Sequence, residues 1–153
     1  MPLIGKENVI KAMDNLVVEA GKDVRAIYFA GLSAVIKQTP VDEGRARNNW
    51  FLTVGTPSSE IASSKSSNGA NSFAQLGTMP QDVLNKTIYF TNNLPYIGVL
   101  EYGGYPNPPK KGSWNKKKKA YEIRSINGFS ALTDGKPWVR PIIIAMRAKL
   151  RAL

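Results

Sequence analysis

Thr39-Pro40-Val41-Asp42-Glu43-Gly44-Arg45-Ala46-Arg47-Asn48-Asn49-Trp50 separates a helical pattern before it from an alternating pattern after it. Pro40 biases Thr39 out of the helical basin, so the preceding helix should stop near Gln38. Gly44 can take a positive φ without the steric cost a Cβ would bring. Together they mark a short turn, the corner of the fold. Asp42 and Glu43 followed by Arg45 and Arg47 place opposite charges there, which taken alone reads as a solvated surface turn. Trp50 then opens Trp50-Phe51-Leu52-Thr53-Val54, a run suited to a pleated surface.

Upstream of the corner, Val9, Met13, Leu16, Ala20, Val24, Ile27, Leu32 and Val35 fall at helical spacing, with Ile10, Val17, Tyr28 and Ile36 widening the stripe. The spacing predicts a helix over 6–38. At 1.5 Å per residue this is a rod of roughly 45 to 50 Å, longer than a small domain needs, so part of it is available to pack on another subunit. Gly21 and Gly31 are its weak points or its close-approach sites.

Downstream, strands are expected within 48–92, interrupted by a polar loop over 56–72. Seven of the fifteen residues from Ser58 to Ser72 are serine, which leaves too little apolar content to pack alone. Two readings stay open for it: a flexible excursion, or a segment ordered against a neighbouring subunit. The pattern over 73–85 is ambiguous, with Met79-Pro80 as a breaker. Thr87 to Asn92 alternates again and should pair antiparallel with the Trp50 strand. Pro95 to Gly103 suits one or two helical turns presenting Tyr96, Val99 and Leu100 to the core. The segment 105–119 is rich in Pro, Gly and Lys and is expected to be an exposed basic arm carrying Lys110, Lys111, Lys116, Lys117, Lys118 and Lys119. Tyr121 to Ile126 offers a third strand. A last helix over 140–153 is opened by Pro141, with Arg147, Lys149 and Arg151 placed to favour its carboxyl end.

The 153 residues fit one domain, 1–153. Net charge is +10, and it is uneven: residues 110–153 hold 12 of the 21 Lys and Arg but only Glu122 and Asp134 among the acids. A basic excess confined to one segment points to a local polyanion or an acidic protein face. There is no cysteine and no histidine, which excludes disulfides, thiolate metal sites and thiol nucleophiles and removes the commonest general base. The sequence has no phosphate-cradling glycine loop and no nucleophile elbow. Asp42 with Glu43 is the nearest approach to a catalytic pair, and it lacks the third acidic or metal-binding partner a nuclease needs. The expectation is a binding or structural protein, not an enzyme, with no cofactor and no metal. Met1 to Lys6 shows no signal-peptide pattern, and the longest apolar run, Ile142 to Met146, is far short of a membrane span. Synthesis and use in a cytosol are expected, away from a membrane.

Three stretches occur in order: Thr-Pro-Val-Asp-Glu-Gly-Arg-Ala-Arg-Asn-Asn-Trp at 39–50, Pro-Tyr-Ile-Gly-Val-Leu-Glu-Tyr-Gly at 95–103, and Pro-Trp-Val-Arg-Pro at 137–141. Across nearly the whole chain this resembles the neck and tail-completion (head-tail joining) proteins of long-tailed bacteriophages, the family that includes lambda-like minor tail protein Z. Position 46 is Ala where that pattern usually has Leu, and the lysine segment is heavier than the pattern requires. The resemblance implies an α+β fold, with a long first helix and a C-terminal helix packed on a small twisted antiparallel sheet with long loops. It implies structural roles for Pro40, Asp42, Gly44, Arg45, Trp50, Tyr96, Glu101, Tyr102, Gly103, Pro137 and Pro141, with Tyr96 and Tyr102 packing the short helix over the sheet. It further implies a homo-oligomeric ring, a hexamer by the symmetry of the tail axis, at the head-tail junction of the virion. That ring would be assembled in the host bacterial cytoplasm and contact other neck and tail proteins. A tail terminator capping the tail tube is the neighbouring alternative. A basic nucleic-acid-binding protein is the alternative of another class, with Trp114 and Tyr121 interleaved with lysines as stacking residues. In either class the six lysines are the expected contact with a polyanion, DNA in the channel or an acidic protein face.

Overall fold

The computed structural model describes residues 5–104, 113–123 and 125–153. The fold is α+β. Helix α1 runs Lys6–Gln38, as its apolar spacing predicts. It ends where Thr39 turns to an extended backbone (φ -57, ψ 127) ahead of Pro40, while the Thr39 N–H still donates to the carbonyls of Val35 and Ile36. The corner follows, with Gly44 at φ 80; a Cβ there would lie 2.4 Å from the backbone of Ser66, so the close approach as well as the turn requires glycine.

Strand β1, Phe51–Val54, pairs antiparallel with β2, Ile88–Thr91, in the register Phe51 to Thr91 and Val54 to Ile88. Trp50, just before β1, stacks on Phe90 at 5.0 Å between ring centroids. Between the strands, helix α2 (Ala70–Gly77) fills part of the ambiguous stretch and buries Ser72 and Leu76. Helix α3, Ile97–Tyr102, ends at Gly103 in a positive-φ conformation. Helix α4, Val139–Arg151, carries Pro141 in its first turn, where a missing N–H costs nothing.

The core lies where α1, α2, α3 and β1 meet, around Val35, Ile36, Trp50, Leu52, Leu76, Leu100 and Trp138. Helix α4 runs back antiparallel along α1: Trp138 sits at Val35, and Met146 sits at Gly31, where an added Cβ would be 2.2 Å from its Sδ. Gly31 is therefore a close-approach site. Gly21 is one too, with the Leu84 side chain 3.4 Å from where a Cβ would stand.

Three expectations are corrected. Instead of one sheet with a third strand at 121–126, the described residues form three separate two-stranded antiparallel ladders. Strand β3 (Ser113–Asn115) pairs with β4 (Ala120–Glu122), and β5 (Ser125–Ile126) pairs with β6 (Phe129–Ser130). The described part of the segment expected as an exposed arm is a hairpin, with Lys116 to Lys119 exposed at its turn. The Asn115 carboxamide oxygen accepts from the N–H groups of Lys117 and Lys118, and Lys119 takes φ 50, so a turn forms from the lysines themselves. The expected arm residues from Tyr105 to Gly112, including Lys110 and Lys111, lie outside the described residues.

The second correction concerns the serine stretch. It is bound to its own domain's corner: Asn48 donates to the carbonyl of Ser64, Asn49 exchanges hydrogen bonds with the backbone of Ala62, and Asn93 donates to the carbonyls of Ser58 and Glu60. Side-chain amides replace the apolar packing that its composition lacks. In the third correction, Tyr96 and Tyr102 do not pack α3 over the sheet. Both are exposed, Tyr102 at 69%, and α3 turns Leu100, Ile97 and Glu101 inward instead. Among the described residues no helix is long and apolar enough to cross a membrane.

Candidate functional site

Two of the three motif stretches meet at one carbonyl. The last turn of α1 leaves the Val35 oxygen to the Thr39 N–H at 3.0 Å, the Thr39 hydroxyl at 2.7 Å and the Trp138 indole N–H at 3.2 Å. The Thr39 hydroxyl in turn accepts the Trp50 indole N–H at 2.9 Å. Thr39 is fully buried and both tryptophans nearly so. The site joins the first residue of one motif, its last residue, and the second residue of another.

The remaining motif is tied in by Glu101. Its carboxylate, from α3, is buried (6% exposed) and accepts the backbone N–H groups of Trp138, Val139 and Arg140 at 3.0, 2.9 and 3.0 Å. These are N-terminal N–H groups of α4 that lack intrahelical partners, so a carboxylate from elsewhere in the chain takes the place of a local cap. Arg140 closes the group, with its guanidinium 3.3 Å from the same carboxylate and 5.2 Å from the Tyr102 ring centroid. That explains why Tyr102 stays outside: it covers the cation rather than the sheet.

At the corner, Arg47 holds the end of α1. Its guanidinium donates to the carbonyls of Lys37, Thr39 and Ser67. Beside it opens a polar basin of about 460 Å³ that Lys37, Lys136 and Asp134 also line. Glu43 is ion-paired with Lys65, whose hydrogen bond and then charge hold its carboxyl below its ordinary value. Desolvation raises the Tyr96 phenol above its ordinary value.

Two surfaces face outward. In α1, residues 6–20 are all exposed, including Val9, Ile10, Met13, Leu16 (71%) and Val17. This continues the stripe of half-buried Val24, Tyr28 and Leu32 and buried Val35 along the helix. The second surface is the β3–β4 hairpin, where Trp114 and Tyr121 form an edge-on pair at 5.0 Å, both exposed, below a turn of four exposed lysines. Lys118 pairs with Glu122 at 3.1 Å.

The structure therefore places Pro40, Gly44, Trp50, Glu101, Gly103, Pro137 and Pro141 at turns, at helix ends or in the core. It leaves Asp42, Arg45, Tyr96 and Tyr102 on the surface. Sequence reasoning missed Arg47, Asn48, Asn49 and Asn93 as a functional group. Their signal was the pair of Asn-Asn dipeptides, one before β1 and one after β2, which antiparallel pairing brings to the same end of the ladder. Among the described residues no cluster of three acids, histidines or cysteines could hold a metal ion. No family model, no curated protein and no solved structure matches this chain.

Proposed function

We propose that the chain is a virion structural protein of a long-tailed bacteriophage, forming a homo-oligomeric ring, six-fold by resemblance, at the head-tail junction and completing or joining the tail there. The observation that carries this reading is that the three stretches bearing the resemblance meet around one backbone carbonyl and one buried carboxylate. The likeness thus falls on residues that hold this fold together, as expected of a protein whose work is assembly. The uncovered apolar half of α1 supports the same reading, since contiguous exposed apolar surface marks a place for a partner. A tail terminator would present the same features. The test is to image particles carrying an affinity-tagged copy of the chain, without imposed symmetry. The expected result is tagged density as a ring between head and tail. Tag at the far end of the tube favours the terminator, and absence from particles overturns the reading.

The lysine hairpin favours a second contact. Four lysines at its tip and two exposed aromatic rings below them suit a polyanion. With DNA as partner, the log-log salt slope of binding should be about -0.9 per phosphate neutralised, and replacing Lys116 to Lys119 with Gln should flatten it at unchanged melting temperature. An acidic neighbouring protein as partner predicts a variant that binds free DNA like the parent but joins tails poorly.

A further inference from the structure

Helix α1 carries one apolar stripe over its whole length, but among the described residues the domain covers only its second half. From Gly21 onward the stripe packs on Leu84, the core and α4, whereas residues 6–20 stand clear of the domain for about 22 Å at 1.5 Å per residue. Further along the same helix, an apolar groove of about 290 Å³ lies between α1, α4 and β2, lined by Tyr28, Leu32, Phe90, Ile143, Met146 and Leu150. Its walls are nearly all carbon, and Arg147 stands at the edge. The groove has room for several aliphatic side chains but not for a whole helix.

We infer that the overhanging ridge of α1 in one copy, centred on Met13, Leu16 and Val17, docks into the α1–α4 groove of the next copy. Three observations select a second copy of this chain as the occupant. A branched or unbranched aliphatic ridge and a carbon-lined groove are complementary in chemistry, and the chain carries one of each. A straight helix cannot fold back to fill its own groove, because Leu16 and Tyr28 are twelve residues apart on one rod, about 18 Å along its axis. The charges also match: the overhang carries Glu7 and Asp14 two turns apart along one border of the stripe, while α4 beyond the Glu101-paired Arg140 carries Arg147, Lys149 and Arg151 and no acid. Contact between two different patches on identical chains is heterologous, and it closes into a ring when the rotation per subunit divides the circle. This inference rests on the ring reading for its closure, and it adds which surfaces make the joint.

The chain has no cysteine, so a designed pair reports without background. Leu16→Cys and Ile143→Cys chains, each shown to melt like the parent, are mixed at equal concentration and oxidised. The expected result is a disulfide-linked heterodimer as the main product, with Lys11→Cys, on the polar face of the overhang, giving none with Ile143→Cys. Should Ile143→Cys lower the melting temperature, Arg147→Cys at the groove edge takes its place. Light scattering over a concentration series should show parent self-association, lost in Leu16→Glu. Leu16→Cys linking chiefly to itself would overturn the ridge-in-groove joint in favour of helix-on-helix pairing. A parent that stays monomeric without linking across the mixed pair would also overturn it. Neither outcome touches the ring at the head-tail junction, which imaging of particles decides separately.

Discussion

Glu101 bears a larger share of this fold than its surroundings in the sequence indicate. Leu-Glu-Tyr-Gly resembles an ordinary helix end, yet the carboxylate takes up three N–H groups of a helix almost forty residues away. Glu101→Gln keeps the shape but loses the charge facing the helix dipole, and should cost about 1 to 2 kcal/mol. Glu101→Ala leaves buried donors without an acceptor and should cost about 2 to 4 kcal/mol. Both are read from urea midpoints at constant slope; an Ala variant within about 0.5 kcal/mol of the parent would mean that water replaces the carboxylate. Lys65 and Glu43 form a pair of a different kind, on the surface. Because Lys65 depresses the Glu43 carboxyl, the pair's contribution is present above the unfolded carboxyl's titration and is lost as pH falls through the folded one. Lys65→Gln should let the Glu43 titration rise toward its ordinary value in an NMR pH series, and an unmoved titration would show that the pair does not persist in solution.

Among the elements, those set by periodicity were legible in advance. Helix α1 and the β1–β2 pairing follow from apolar spacing, Pro40 and alternation, because burial of one face is a signal the sequence carries locally. The serine stretch was not legible, since its order comes from asparagine side chains on other segments, and hydrogen bonds between distant residues leave no period. The lysine turn was hidden for a related reason: Asn115 organises its backbone through one carboxamide oxygen, whereas lysine composition alone suggests a solvated coil. Tyr102 was misplaced because an aromatic residue in a short helix is normally buried, and its cationic partner Arg140 lies far along the chain. These contacts alter what a deletion should do. Removing residues 63–71 takes away the Ser64 and Asn71 partners of Asn48 and the Ser67 carbonyl bound by Arg47. The loss should be about 3 kcal/mol or more, since several groups lose partners at once. Calorimetry that finds the deleted chain melting within a degree or two of the parent would show the stretch to be an accessory.

As a whole molecule, the chain is a compact domain with a rod projecting from it. What closes the domain is spread widely along the sequence, since residues 35, 39, 50, 101 and 138 all meet within one group of hydrogen bonds. What extends from it is the first half of α1, whose apolar face has no cover among the described residues. A ridge at one place and a groove at another make each copy bifunctional in the polymer chemist's sense, with a head and a tail. Growth of such a chain can be stopped from either side. A copy with Leu16→Glu should still accept a neighbour into its groove while offering none, and a copy with Ile143→Glu should do the reverse. Each alone should remain monomeric by native mass spectrometry, and an equal mixture should give a dimer and nothing larger. Small amounts of either, added to the parent, should act as a chain stopper: one defective copy per ring leaves an open arc, so for the proposed six-subunit ring the yield of complete rings should fall roughly as the sixth power of the intact fraction.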